Sequence, residues 1–251
     1  MAFKDYFSRQ AADYASFRPN YPAKLFAYLA SLCRERELAW DCGTGSGQAA
    51  TGLAEHFQKV IASDPSEKQL ASAAAHPRVV YEVAAAEKTS IPSASVDLVA
   101  VAQALHWFDL DPFYAEVRRV LKPAGVLAVW CYNLPKIAPE IDPLIEDFYS
   151  HTVGPYWPPE RRLVEDAYRS LPFPFAEIAV PAFSMAAEWN LQNFAGYLST
   201  WSATQEFIRG RGMNPLDLLL KTLRPLWGDE AAPRRVTWPF SLRVGLAKGG
   251  H

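Results

Sequence analysis

The chain has 251 residues, 50% of them hydrophobic and 21% charged, enough to bury a sizeable core in one α/β domain with an insertion or in two small domains. A formal net charge of −2 provides no general attraction to nucleic acid or to an anionic membrane surface, and no run approaches the ~18 apolar residues of a membrane span. Three scattered cysteines, Cys33, Cys42 and Cys131, lack zinc-site spacing and read as reduced buried thiols of a cytoplasmic protein with no metal site.

The opening decapeptide, MAFKDYFSRQ, has no apolar stretch of the signal-peptide kind. Leu38–Cys42 is a short apolar run ending in Asp41 and then glycines, and it reads as the first strand. Ala49, Ala50, Leu53, Ala54 and Phe57 follow at helical spacing. Lys59–Ser63 is a second strand that ends at Asp64. Ser66 then opens a helix, with Gln69 three residues on in a capping-box pattern. Arg78–Val83 is a third strand, and Val96–Ala102, apolar on both faces, is a buried fourth. Asp111-Pro112 caps a helix whose face is Phe113, Val117, Val120 and Leu121. A turn at Lys122–Gly125 leads to a fifth strand, Val126–Trp130.

Strands alternating with helices predict a doubly wound, mostly parallel sheet, with ligand-binding loops at the carboxyl ends of the strands. After Tyr132 prolines and aromatics gather, and helical pieces fit around 141–151 and 160–170. Ile178–Met185 is a sixth predicted strand, and residues 190–227 read as helical with Leu191, Phe194, Leu198 and Trp201 on one face. From Trp238 to Leu246 apolar residues alternate strictly, which predicts a half-buried antiparallel strand at the sheet edge, where Pro239 is tolerable. The expected organisation is a helical arm (1–34), a ligand-binding core (35–132), an aromatic-rich helical cap (133–176), and the remaining strands with a second cap segment at about 190–227 (177–251).

The densest chemical signal is Asp41-Cys-Gly-Thr-Gly-Ser-Gly-Gln48, set between a strand and a helix. Glycines there permit a tight turn and close approach of backbone to a ligand. The spacing is GxGxG, not the GxGxxG dinucleotide fingerprint. Asp64 ends the next strand, 23 residues after Asp41, where a carboxylate can accept hydrogen bonds from both hydroxyls of an adenosine ribose. Asp41 itself places negative charge beside the loop. That would repel a pyrophosphate, whereas a zwitterionic amino-acid cofactor bearing a sulfonium tolerates it.

With these stretches in view, together with Ile61–Ser66, Ala85–Pro92, Val96–Phe108 and Arg118–Gly125, the chain resembles the class I, Rossmann-like methyltransferases. It is most similar to the type 11 small-molecule group around trans-aconitate methyltransferase. The resemblance covers roughly residues 35–130. It implies a seven-stranded sheet, S-adenosylmethionine as cofactor, and methyl transfer to a small molecule, with oxygen of a carboxylate or hydroxyl favoured.

It also implies residue roles. Asp41, Gly43, Thr44, Gly45, Gly47 and Gln48 would line the methionine part of the cofactor. Asp64 would bind the ribose, Pro65 and Ser66 would pack by the adenine, and Ala86 and Glu87 would flank it. Many relatives carry Asp where this chain has Ala85, so the adenine amino group would be held differently. Gln103 follows the fourth strand at a cofactor-contacting position. His106 and Trp107 would stand at the mouth of the methyl site, His106 either as a general base or as a neutral hydrogen-bonding wall, Trp107 with its ring toward the sulfonium. In the arm, Tyr14 would sit near the methyl group and Arg18 would pair with the cofactor carboxylate.

Arg161, Arg162, Arg209 and Arg211 are the natural cap anchors for an anionic substrate. The expected protein is a monomer or homodimer that engages neither nucleic acid nor membrane. A nicotinamide oxidoreductase would show GxGxxG and no Asp before the glycines. A cofactor-binding module without turnover would tolerate decay of the Asp41 loop, which is intact. Base-modifying enzymes often carry Asn/Asp-Pro-Pro-aromatic after the fourth strand, where this chain reads Gln103-Ala-Leu-His106.

Overall fold

The computed structural model describes residues 17–247. Helix α1 (Ala23–Ser31) precedes strand β1 (Leu38–Cys42), helix α2 (Gln48–Ala54), β2 (Lys59–Asp64), the one-turn α3 (Glu67–Ala71) and β3 (Val79–Val83). Then come β4 (Val96–Ala102), a 3-10 turn at Leu105–Trp107, α4 (Leu110–Val120) and β5 (Leu121–Tyr132). The sheet order is β3-β2-β1-β4-β5, all parallel, continued by a ninth strand, β9 (Phe240–Leu246), and the short β6 (Ala176–Ile178). The strand order reverses between β1 and β4, so the loops after those two strands open onto one crevice.

Period-two alternation sorts the strands into two layers. Trp40, Val99, Leu127 and Val129 face α4, packing on Phe113 and Val117. Ala39, Leu98, Ala128 and Trp130 face α1 and α2, packing on Leu25, Phe26 and Leu53. At the end remote from the crevice, the buried Asp97 carboxylate accepts the N–H groups of Glu37 and Leu38 and meets Lys122 Nζ at 2.9 Å, which locks β1 to β4. The predicted turn at 122–125 is an excursion inside β5. Val96 pairs with Leu121 but Leu98 with Val126, and Ala124 takes a φ of 63°. Ser66 caps α3 as expected, its Oγ accepting the Gln69 N–H at 3.3 Å. Helix α4 is opened by Asp109, not by Asp111.

The second half departs further from expectation. Residues 178–185 are not one strand: β6 ends at Ile178, and β7 (Met185–Trp189) pairs separately with β8 (Arg234–Trp238). Pro181, which has no N–H to give, lies in the gap. The alternating C-terminal run is likewise cut at Pro239. Trp238 goes to the small sheet, while Phe240, Leu242, Val244 and Leu246 pack against the α1/α2 layer. Strand β9 is interior rather than an edge, since three-residue β6 covers it.

The helical pieces expected around 141–151 and 160–170 are α5 (Asp142–Asp147), continued by a wide turn to Thr152, and α6 (Arg161–Glu165). Region 190–227 is three helices: α7 (Leu191–Ser199), α8 (Ser202–Arg211) and α9 (Leu216–Trp227), broken by Trp201 and by Gly212 with Pro215. Ile141, Ile145 and Phe148 share one cluster with Phe194, Leu198 and Leu223, so the two cap segments pack as a single layer. No helix among the described residues is long and apolar enough to cross a membrane.

Candidate active site

The loop after β1 is tied down from two sides. Gly43 and Thr44 donate their N–H groups to Ser63 C=O at 2.9 and 3.0 Å. Thr44 Oγ1 donates to Asp41 Oδ2 at 2.5 Å. Gly43 has a φ of 71°, and a Cβ on it would stand 2.7 Å from Ala104 Cβ, so the loop can lie against the end of β4 only with glycine there. Gly47, which precedes α2, has a φ of 82° and leaves room for the Tyr81 hydroxyl.

Two carboxylates flank this loop. Asp64 accepts the Gly45 N–H at 3.0 Å on Oδ2 and the Ser66 N–H at 2.9 Å on Oδ1. Asp41 is fully buried, and its Oδ1 has no hydrogen-bond partner among the described residues. Burial pushes its pKa up to about 7, against the Thr44 hydroxyl and the Ala50 N–H, with the negative charge of Asp64 adding to the rise. Cys42 and Cys131 are buried thiols, Cys131 held up to about 12 by burial, and neither is poised for nucleophilic work.

The second wall comes from β4 and the segment after β3. Ala86 is buried, and Ala85 pairs with Lys88 in a tight turn. Glu87 Oε1 accepts the Asp109 N–H at 2.9 Å, so this carboxylate also serves the start of α4, a job its sequence position did not reveal. Gln103 has a left-handed φ of 56°, and its side chain is committed to Tyr132 at the end of β5. Arg18 donates to the Tyr132 hydroxyl at 3.0 Å and to Thr200 C=O at 3.3 Å, which places it between the core and the cap. Tyr14 lies outside the described residues.

His106 and Trp107 sit in the 3-10 turn after β4, their ring centroids 4.6 Å apart. His106 Nδ1 is 2.8 Å from the hydroxyl of Tyr168, a fully buried residue 62 positions later that the sequence reading did not single out. Burial and the nearby charge of Arg161 push the imidazole pKa down to about 3, so the ring is neutral throughout the physiological range.

The four cap arginines part company. Arg209 is paired with Glu206 at 2.6 Å, Arg211 donates to Tyr156 on the surface, and Arg162 is exposed. Of the four, Arg161 is the one whose charge acts on His106, Tyr168 and Cys131. Its Nε donates to the Tyr149 hydroxyl at 2.7 Å, Tyr149 in turn donates to Glu165, and the guanidinium carbon lies 5.0 Å from the Trp157 ring centroid.

Comparison with known proteins assigns the chain to a family. The family model described as a methyltransferase domain matches residues 40–129, which span the glycine loop through β5. A Dictyostelium discoideum protein named as a methyltransferase is 39% identical over 236 residues, 91% of this chain and 90% of that protein. The structure of an Anaeromyxobacter dehalogenans protein described as a type II methyltransferase superposes with a TM-score of 0.87 at 47% identity, covering 93% of this chain and 100% of that one. The YcgJ protein of Bacillus subtilis, at 19% identity and a TM-score of 0.50, shares the fold.

Proposed function

Given that this chain belongs to the methyltransferase domain family and is an S-adenosylmethionine-dependent enzyme, we propose that it methylates a carboxylate oxygen of a small organic acid. The observation that carries this reading is the wall formed by Arg161 and His106, a guanidinium beside an imidazole that stays neutral.

The residues present fit the cofactor. A buried carboxylate oxygen on Asp41 lacks a partner among the described residues and suits an ammonium group. A Cβ on Gly45 would meet only Gln69 Oε1, at 3.9 Å, so that side of the loop is open to a ligand. Asp64 accepts a backbone N–H on each oxygen at the end of β2, where a carboxylate can also meet ribose hydroxyls. In this reading Asp41, Gly43, Thr44, Gly45, Gly47 and Gln48 hold the amino-acid portion. Asp64, Pro65 and Ser66 hold the nucleoside, with Ala86 and Glu87 beside the adenine and Arg18 and Gln103 bounding the pocket. Two carboxylates at one loop disfavour a dinucleotide pyrophosphate.

The bound cofactor supplies a methyl group already activated by its sulfonium. The protein's work is orientation and exclusion of water, and orientation alone is worth ~7–11 kcal/mol. Arg161 offers its terminal nitrogens to an anion, and its Nε is spent on Tyr149. Tyr149 and Trp157 set aromatic surface beside that guanidinium, and Trp107 lies against His106. An imidazole held neutral by burial and by the charge of Arg161 is a poor base toward a hydroxyl, which favours an acceptor that arrives already deprotonated, as a carboxylate does above about pH 5.

The test begins with calorimetric titration of S-adenosylhomocysteine, with NAD and the Asp64→Ala variant as controls. Labelled cofactor is then offered to carboxylic acids and to matched alcohols. Methyl esters release methanol in alkali and ethers do not, so the product class reads directly. Transfer to alcohols or amines but to no acid overturns the acceptor, and preference for NAD overturns the cofactor.

A further inference from the structure

We propose that Tyr168 is a positioning residue that locks His106 in one tautomer, Nδ1 bare and Nε2 protonated, so that the ring serves as a neutral hydrogen-bond donor to the acceptor and not as a base. The ligand half of this inference rests on the carboxylate reading above; the tautomer half rests on this chain alone.

Tyr168 reaches the ring by an unusual path. Ala167 and Tyr168 both take left-handed backbone, with φ of 55° and 59°, two consecutive positions at which a Cβ is unfavourable. That path turns the chain back after α6, buries the ring among the α4-side core residues, and stacks it 5.9 Å from His106 with an interplanar angle of 30°.

Counting protons then fixes the hydrogen bond's direction. The Tyr168 hydroxyl is buried with its ring, and among the described residues its partner at hydrogen-bond distance is His106 Nδ1. If the hydroxyl accepted from an Nδ1–H, its own proton would be buried with no acceptor among those residues. The single phenolic proton remains for His106 Nδ1, 2.8 Å away. A neutral imidazole that accepts at Nδ1 carries its proton on Nε2. Nε2 has no partner among the described residues. The titratable and charged groups around the ring, namely Arg161, the Tyr168 phenol and the Cys131 thiol, include no carboxylate that would favour an imidazolium. Arg161 and His106 thus present donors only, which selects an ionised oxygen and rejects a ligand that needs to give up a proton.

The tautomer is read on the free protein from the ring-nitrogen chemical shifts of isotope-labelled histidine, with His106→Gln identifying the signal among the five histidines. The expected result is the Nε2–H form, unchanged from about pH 5 to about pH 8. An Nδ1–H form, or titration inside that window, overturns the proposal whether or not any acid proves to be a substrate. Tyr168→Phe should release the tautomer preference and lower kcat about tenfold without changing the affinity for S-adenosylhomocysteine. With a carboxylic acid as acceptor, His106→Gln, which keeps a side-chain N–H, should retain at least about a tenth of kcat where His106→Ala loses about a hundredfold. Equal loss in both variants overturns the donor role. Failure of every acid to be methylated sinks the carboxylate reading and leaves the tautomer to be decided by the spectrum.

Discussion

Gln103 pairs with the backbone of Tyr132 as a neighbouring strand would, its Oε1 accepting the Tyr132 N–H at 2.8 Å and its Nε2 donating to the Tyr132 C=O at 3.1 Å. The clasp extends the β4–β5 pairing one step past the end of β4, where β5 still runs on beside β9. Gln103→Ala removes both bonds and should cost about 2 kcal/mol. Gln103→Gly loses the same bonds but relieves the φ of 56°, so it should be about 0.5–1 kcal/mol more stable than the alanine variant. Urea unfolding of the two variants decides this, and a less stable glycine variant would show that the backbone is not strained.

Asp41 should link cofactor binding to protons. Its pKa in the folded chain, about 7, lies above the ~3.9 of an unfolded aspartate, so the native state binds the extra proton between those values. Stability of the cofactor-free protein should therefore fall as pH rises from about 4 to about 7, by on the order of 3 kcal/mol. An ammonium opposite the carboxylate reverses the shift. Binding of S-adenosylhomocysteine near neutral pH should then release a proton and tighten as pH rises. Calorimetry at one pH in two buffers of different ionisation heat measures this directly, and identical heats refute it. Asp41→Asn should bind more weakly, release no proton, and be more stable than the parent at about pH 8 in the absence of cofactor.

Arg161 is predicted to be the acceptor anchor among the cap arginines. Arg161→Ala should raise KM for the acid at least about tenfold, whereas Arg162→Ala, Arg209→Ala and Arg211→Ala should change it less than about twofold. Arg161→Lys keeps the charge but gives up the guanidinium's contact with the Tyr149 and Trp157 rings, and it should recover only part of the loss. A KM unchanged in Arg161→Ala removes the anchor.

Ala167 holds a φ of 55° in the turn before Tyr168, a backbone conformation that glycine adopts at lower cost. Ala167→Gly should raise stability by about 0.5–1 kcal/mol, visible as a higher thermal midpoint. A lower midpoint would mean that the left-handed turn is held by contacts of the methyl group.

The alternation of strands and helices to Trp130, the two-layer core, and the loop from Asp41 to Gln48 with Asp64 beside it were legible in the linear chain. Periodicity, glycine and capping preferences are properties of residues next to one another, and parallel strands with helices between them have few topologies open to them. What chain neighbours do not determine is which distant group completes a hydrogen bond or ends a strand's pairing. Pro181 and Pro239 lie in the gaps of two runs that each read as a single strand, one of them strictly alternating, because a residue without an N–H breaks pairing where its strand meets a partner. His106 was visible as a candidate, but its protonation state was not, since that depends on burial in the packed chain and on the charge of Arg161, 55 residues later. Gln103 and Arg18 converge on Tyr132 for the same reason: buried polar groups take whichever partner the packed core sets beside them, and only the folded chain decides which that is.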